Sequence, residues 1–382
     1  CAIISRRFGH SKTCRDPPMP DFEFIDLTID DGDLPALSAA SRIGVDTEFM
    51  RERTYYAELS LLQFSTDSQI FCADPLGSSG GAPSAAFWRA ITQPEWVIHS
   101  GRQDIEVIFQ TSGTMPRAIF DTQIAAALLG YQPQIGYAGL VSELFDVELD
   151  KSHTRANWSK RPLADELLHY AAEDVEYLLP AYDSLVTRLE KDGRLDWAIQ
   201  DSMDLLDESL YRADPALAIH RLKGARNLRG RARAAAVALA SWRESEALSR
   251  NRPRQWIMRD NVLIELAIKA PTSTSELQRI DGLADKTIGR VGKSLLQIVA
   301  DATHDTSDYQ PPGRPDEQQK AALKEMQRIV ADHAAALGLA AELIAPKKEL
   351  SAAMLGERDL RVFRGWRRDL VGDALLGVLD AA

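Results

Sequence analysis

The stretch RIGVDTEFMRERTYYAELSLLQF, residues 42–64, decides how the rest of the chain is read. It reads as two apolar strands joined by a polar turn, yet its core, GVDTEF, sets Asp46 and Glu48 one residue apart inside the first. Successive side chains on a strand alternate between faces, so Asp46 and Glu48 project together while Val45, Thr47 and Phe49 point the other way. Carboxylates are rarely buried unless paired or bound to a metal, so two on one face of a core strand need a reason. Such a pair can chelate one divalent cation.

Working outward, FEFIDLT, AELSLLQFS and SQIFCADPL read as further strands at short spacing, expected to be antiparallel neighbours, and EWVIHS reads as another apolar strand. RQDIEVIFQ and IFDTQIAAALLG read as helices, the second capped by Asp121 and ended by Gly130. In LADELLHYAAEDVEYLLP the apolar positions Leu167, Leu168, Ala171, Ala172, Val175, Leu178 and Leu179 follow the 3.6-residue period, and Pro180 should end or kink that helix. Mixed strands and helices in this order predict a sheet covered by helices. DDGDLPALS, PLGSSGGAPSAAF and THDTSDYQPPGRPD read as loops or linkers.

Two further carboxylates have suitable placement. Asp104 follows the EWVIHS strand at the start of a helix, and Asp174 stands one turn after Tyr170 on another. Four carboxylates from separate elements can hold two Mg²⁺ ions, because the cations offset the repulsion that would expel the cluster. Two metals about 4 Å apart are a standard means of phosphodiester hydrolysis. Taken singly, each acid has a structural alternative: Asp104 a helix cap, Asp174 a surface group.

The 382 residues are too many for one ordinary compact domain, and 45% hydrophobic with 26% charged residues is the balance of a globular protein. No run of eighteen apolar residues occurs, so no membrane span is expected. The three cysteines have neither disulfide-framework nor zinc spacing, which suits a reducing cytoplasm. Residues 1–20 lack the apolar core of a signal peptide and are expected to be a flexible leader. Net charge is −11, but between Pro215 and Ala302 sixteen Lys or Arg stand against eight Asp or Glu, a local excess of eight. Arg229, Arg231, Arg252 and Arg254 with Trp256 are candidate nucleic-acid contacts there, because arginine beside an aromatic ring suits phosphates and stacked bases; a solvated helix face is the alternative. Lys151, Arg155, Trp158, Lys160 and Arg161 form a second candidate strand-binding segment, set against a surface loop with a packed tryptophan. Phe49 and Met50 are wedge candidates for a terminal base, or core residues.

GVDTEF, HSGRQDIEVI and HYAAEDVEYLLP together resemble the three motifs of the DEDD superfamily of 3′→5′ exonucleases. FDTQIAAALLGY, GLVSELFDVELDKSHTRANWSKRPL and YAAEDVEYLLP narrow the resemblance to the ribonuclease D branch. The resemblance implies an α/β plus all-α chain: a ribonuclease H-like mixed-sheet exonuclease domain over 21–205, a first HRDC domain over 215–303, a linker over 304–316 and a second, divergent HRDC-like domain over 317–382. It implies two metals, Mg²⁺ with Mn²⁺ as an alternative, on Asp46, Glu48, Asp104 and Asp174, with Asp46 bridging and Tyr170 orienting the attacking water. His169 and Tyr170 satisfy the two spacings that divide the superfamily, and helical geometry favours Tyr170, since i and i+4 share a face. The expected partner is RNA with a single-stranded 3′ end, tRNA precursors among them, with no obligate protein partner evident and a cytoplasmic location. A DNA-directed exonuclease and a non-catalytic RNA-binding scaffold are the competing readings; only contacts to the 2′-OH separate RNA from DNA.

Overall fold

The structure is a computed structural model that describes residues 20–29, 35–150, 153, 156–302, 309 and 316–381. The leader, most of the linker, and Lys151 and Arg155 lie outside the described residues. The chain forms two compact units. One takes in the chain up to Met50, Ala57–Tyr211 and the segment from Pro315 onward; the other takes in Arg51–Tyr56 and Arg212–Arg314.

The first unit is built on a six-stranded mixed sheet. Its strands are β1 (Glu23–Asp26), β2 (Arg42–Met50), β3 (Glu58–Ser65), β4 (Ile70–Asp74), β5 (Glu95–Ile98) and β6 (Ile119–Asp121), in the order β1-β4-β3-β2-β5-β6. β3 runs antiparallel to β2 and β4; the remaining pairs are parallel. Every residue of β3 after Glu58 is buried, as expected of a strand covered on both faces. On one face Val45, Leu62, Phe64, Phe71 and Ala73 join a core with Ile105 and Ile108 of helix Arg102–Ser112. On the other, Leu61 and Cys72 pack against Leu168, Ala171 and Ala172 of helix Asp165–Glu176. A β-bulge between Glu48 and Phe49 closes the acidic stretch of β2. A Cβ at Gly44 would strike Ser65 Oγ and Leu178, so glycine there lets helix Leu178–Lys191 sit close on β2, two residues before Asp46.

Several expectations change. In IFDTQIAAALLG the helix begins at Thr122 with Asp121 as its cap, as expected, but Ile119–Asp121 before it is an edge strand of three residues, too short to show alternation. Short helices, Pro35–Ala39 and Ala85–Ile91, occupy parts of two segments read as loops. The Asp174 helix ends at Glu176, and Pro180 falls in the first turn of the next helix, where its missing N–H leaves no bond unmade.

The C-terminal helices, Glu317–Leu337, Lys347–Met354 and Asp373–Asp380 among them, share one core with the exonuclease helices. Met326, Val330, Leu350, Val362 and Leu375 pack in it with Phe120, Leu128, Leu140, Leu185 and Leu189. Arg367 closes it as a buried ion pair with Asp201, at 2.5 and 2.6 Å.

The second unit is helical: Gly230–Ser249, Asp260–Lys269 and Asp285–Asp301 surround Ala235, Leu239, Leu263, Leu266, Leu277 and Leu295. Asp260 is the first residue of its helix and pairs with the buried Arg243 at 2.6 Å. Glu244, also buried, accepts the Tyr55 hydroxyl at 2.5 Å and two bonds from Arg254. No helix among the described residues is long and apolar enough to cross a membrane.

Candidate functional site

β2 sends Asp46 and Glu48 to the face covered by the Asp165–Glu176 helix, and that helix returns Asp174 to them. One oxygen from each of the three carboxylates lies within 4.8 Å of the others. Two like charges at that distance repel by about 3.5 kcal/mol at an effective dielectric of about 20, so three ionised groups cannot share the site without compensation. Their acidities say the same. Burial, then the charges of Asp174 and Asp104, push Glu48 up to about 9. Burial, then Asp104, Asp174 and Glu48, hold Asp46 well above the ordinary carboxylate range. Asp174 is pushed to about 7 by burial, against a hydrogen bond from Tyr170 that favours its charged form. A hard, oxygen-only donor set whose members repel one another fits a divalent cation of the Mg²⁺ class.

Asp104 lies in the first turn of the helix Arg102–Ser112, which covers the opposite sheet face. Thr47, between the two acids of β2, points that way and donates its hydroxyl to Asp104 at 2.5 Å. Asp104 is thus near enough to raise both Asp46 and Glu48 by its charge, although it is not one of the three carboxylates within 4.8 Å. Burial raises Asp104 itself to about 6, opposed by the Thr47 bond.

Two residues that sequence reasoning passed over as site builders fix the start of this helix. Asp121 caps its own helix through Gln123 and Ile124 and also accepts the N–H groups of Ser100 and Gly101, at 3.0 and 2.9 Å. Ser100 has a φ of 60°, so the turn before Asp104 is strained and Asp121 holds it. His99 bonds Thr122 Oγ1 through Nδ1 and the Ile135 carbonyl through Nε2, both at 2.9 Å, and burial lowers its pKa. The capping reading of Asp121 was available from FDT; its second role depends on β6 lying beside β5, a tertiary fact.

Tyr170 and His169 face different surroundings. The Tyr170 side chain reaches Asp174. His169 packs edge-on against Phe22 at 5.1 Å, and its Nδ1 is buried without a partner. Trp158 and Arg161 are placed otherwise than expected of RNA contacts. Trp158 is 2% exposed, within the core beside Tyr170. Arg161 binds Asp74 with two nitrogens, at 2.6 and 2.7 Å, and gives its other N–H groups to the carbonyls of Ser60, Trp158 and Lys160, which uses the whole guanidinium. Phe49 and Met50 are half-buried, each packed against a core cluster. In the second unit Arg254 is committed to Glu244 and lies over the Tyr55 ring at 4.9 Å. Arg229, Arg231 and Arg252 are exposed and, among the described residues, bond backbone carbonyls, and Trp256 is 58% exposed.

Comparison with known proteins gives this geometry a family. A family model described as a 3′-5′ exonuclease matches residues 34–190, and an HRDC domain model matches residues 232–299. Ribonuclease D of Acidiphilium cryptum is 37% identical over 358 residues, covering 89% of this chain and 88% of the relative. Ribonuclease D of Gluconacetobacter diazotrophicus is 35% identical, with 88% and 87% covered. The crystal structure of Escherichia coli RNase D, described as an exoribonuclease involved in structured RNA processing, superposes with a TM-score of 0.85 at 30% identity, covering 95% of this chain and 99% of that one. With the family's exonuclease and HRDC regions both matched and relatives alike over nearly their whole length, the chain belongs to the ribonuclease D family and is a 3′→5′ exoribonuclease.

Proposed function

We propose that this enzyme trims single-stranded 3′ ends of tRNA precursors and other small structured RNAs in the cytoplasm, releasing 5′-monophosphates, with two divalent cations held by Asp46, Glu48, Asp104 and Asp174. The observation that carries the reading is the convergence of Asp46, Glu48 and Asp174 within 4.8 Å, with every one of the three held above its ordinary pKa. Mg²⁺, or Mn²⁺ in its place, would supply an activated water and neutralise the leaving oxygen. Asp46 and Glu48 stand on a rigid central strand, which keeps their oxygens in place while a product leaves. Tyr170, bonded to Asp174, is placed to orient the attacking water, and His169, turned toward Phe22, is not. The exposed Arg229, Arg231 and Arg252 and the open ring of Trp256 give the second unit a surface suited to an RNA backbone and a stacked base. The relative from Escherichia coli, described as acting on structured RNA, supports RNA as the substrate.

The test is a trimming assay on 3′-tailed, 5′-labelled tRNA precursor and matched DNA, with Mg²⁺ and with chelator. A ladder of shortened RNA that vanishes with chelator and with Asp46→Asn is expected. Preferential loss of the DNA, or undiminished trimming by Asp46→Asn, would overturn the reading.

A further inference from the structure

The sheet face that carries the acids holds one more polar side chain, and it is unspent. Gln63 on β3 is the direct cross-strand partner of Asp46 on β2. Directly opposed residues of an antiparallel pair share a face, with Cβ atoms about 4.5–5.5 Å apart. The other polar groups in this part of the face are engaged. Ser65, two residues along β3, donates to the Val175 carbonyl at 2.9 Å, and Cys72, opposite Gln63 on β4, gives its thiol to the Leu168 carbonyl at 3.7 Å. Gln63 is fully buried, and neither its Nε2 nor its Oε1 bonds any described group of the protein.

A primary amide brings two donors and two acceptor lone pairs into the interior, and leaving them all unmet is costly where leucine or methionine would fill the same space without penalty. The strand register sets this amide directly opposite the acid of β2. Asp46 takes a hydrogen bond to its charged form from the backbone of Thr47. A carboxylate bound to a cation needs an outer partner to fix its plane, and such partners are a regular part of metal sites. We propose that Gln63 is a positioning residue that donates Nε2–H to the Asp46 carboxylate when that carboxylate binds a divalent cation, setting the orientation of the metal-bridging acid. The inference rests on the metal reading given above and adds to it a residue that neither the acid motifs nor helical spacing contains.

The experiment uses the full chain, stripped with chelator, as wild type and as Gln63→Met and Gln63→Leu, which keep bulk and remove the hydrogen-bonding groups. Manganese binding is measured by titration calorimetry, and the stripped proteins are melted in parallel. Loss of an outer-shell partner costs about 10- to 100-fold in metal affinity, and that loss is expected in both variants. The stripped variants are expected to melt at the wild-type temperature or above it, because the unmet amide is gone. Manganese affinity within about twofold of wild type overturns the proposal, since loss of a true outer-shell bond exceeds that. So does a lower melting point in both stripped variants, which would mean that the amide is already bonded without a cation. Failure of the wild type to bind manganese sinks the metal reading itself, whereas unchanged variants beside a binding wild type sink only the role of Gln63.

Discussion

Loading manganese into the chelator-stripped enzyme should expel protons, and the structure sets how many. Metal ligands must be deprotonated to bind, so every proton held by the acids at the working pH has to leave. With Glu48 at about 9, Asp174 at about 7 and Asp104 at about 6, Glu48 is almost wholly protonated at pH 7.5, Asp174 in part and Asp104 scarcely. Asp46, raised by burial and by its three acidic neighbours, adds a further share. The sum is about one to two protons released on saturation at that pH. Titration calorimetry in two buffers of different ionisation enthalpy counts them directly. Glu48→Gln should release about one fewer, because the amide has no proton to lose. The sign of the linked stability effect follows. Glu48 binds its proton more tightly in the folded chain than in the unfolded one, so its ionisation opposes folding. Without metal, the stability of Glu48→Gln relative to wild type should therefore grow as pH rises from about 4.5 toward 9, and manganese should reverse the order. A binding enthalpy independent of buffer would refute the reasoning, because it would mean the acids are already ionised at rest.

Three further outcomes are expected. Tyr170→Phe should lower kcat on RNA by about 100-fold while His169→Ala leaves it near wild type; the reverse would hand the water-orienting role to the histidine. Asp121→Ala removes the acceptor of four backbone N–H groups and should destabilise the fold by about 3 kcal/mol in denaturant unfolding, and an unchanged midpoint would show that the turn before Asp104 holds itself. Replacing Arg229 and Arg231 by alanine should flatten the dependence of log RNA affinity on log salt by roughly 0.7 per arginine, measured by filter binding; an unaltered slope would place the RNA elsewhere.

The acidic cluster was legible because it is written in short periods. Two-residue spacing puts Asp46 and Glu48 on one face, and four-residue spacing joins Tyr170 to Asp174, whatever the rest of the chain does. What escaped depends on partners remote in sequence. Thr47 could be seen to point away from the acids, but not that Asp104 would arrive on that side. The segment with Trp158 and Arg161 reads either as strand contacts or as a surface loop with a packed tryptophan; the choice needs Asp74, which binds Arg161, and the Tyr170 helix, beside which Trp158 is buried. Gln63 reads as an ordinary polar residue in an apolar strand; only the β2–β3 register sets it opposite Asp46. Nor could the sequence show that the C-terminal helices share a core with Leu128 and Leu185.

That shared core has a consequence for synthesis. Phe120, Leu128 and Leu185 are translated long before Met326, Val330 and Leu375, the residues that cover them. A growing chain therefore carries an incompletely clothed nuclease until its last helices leave the ribosome, and domains that wait in this way are exposed to misassembly.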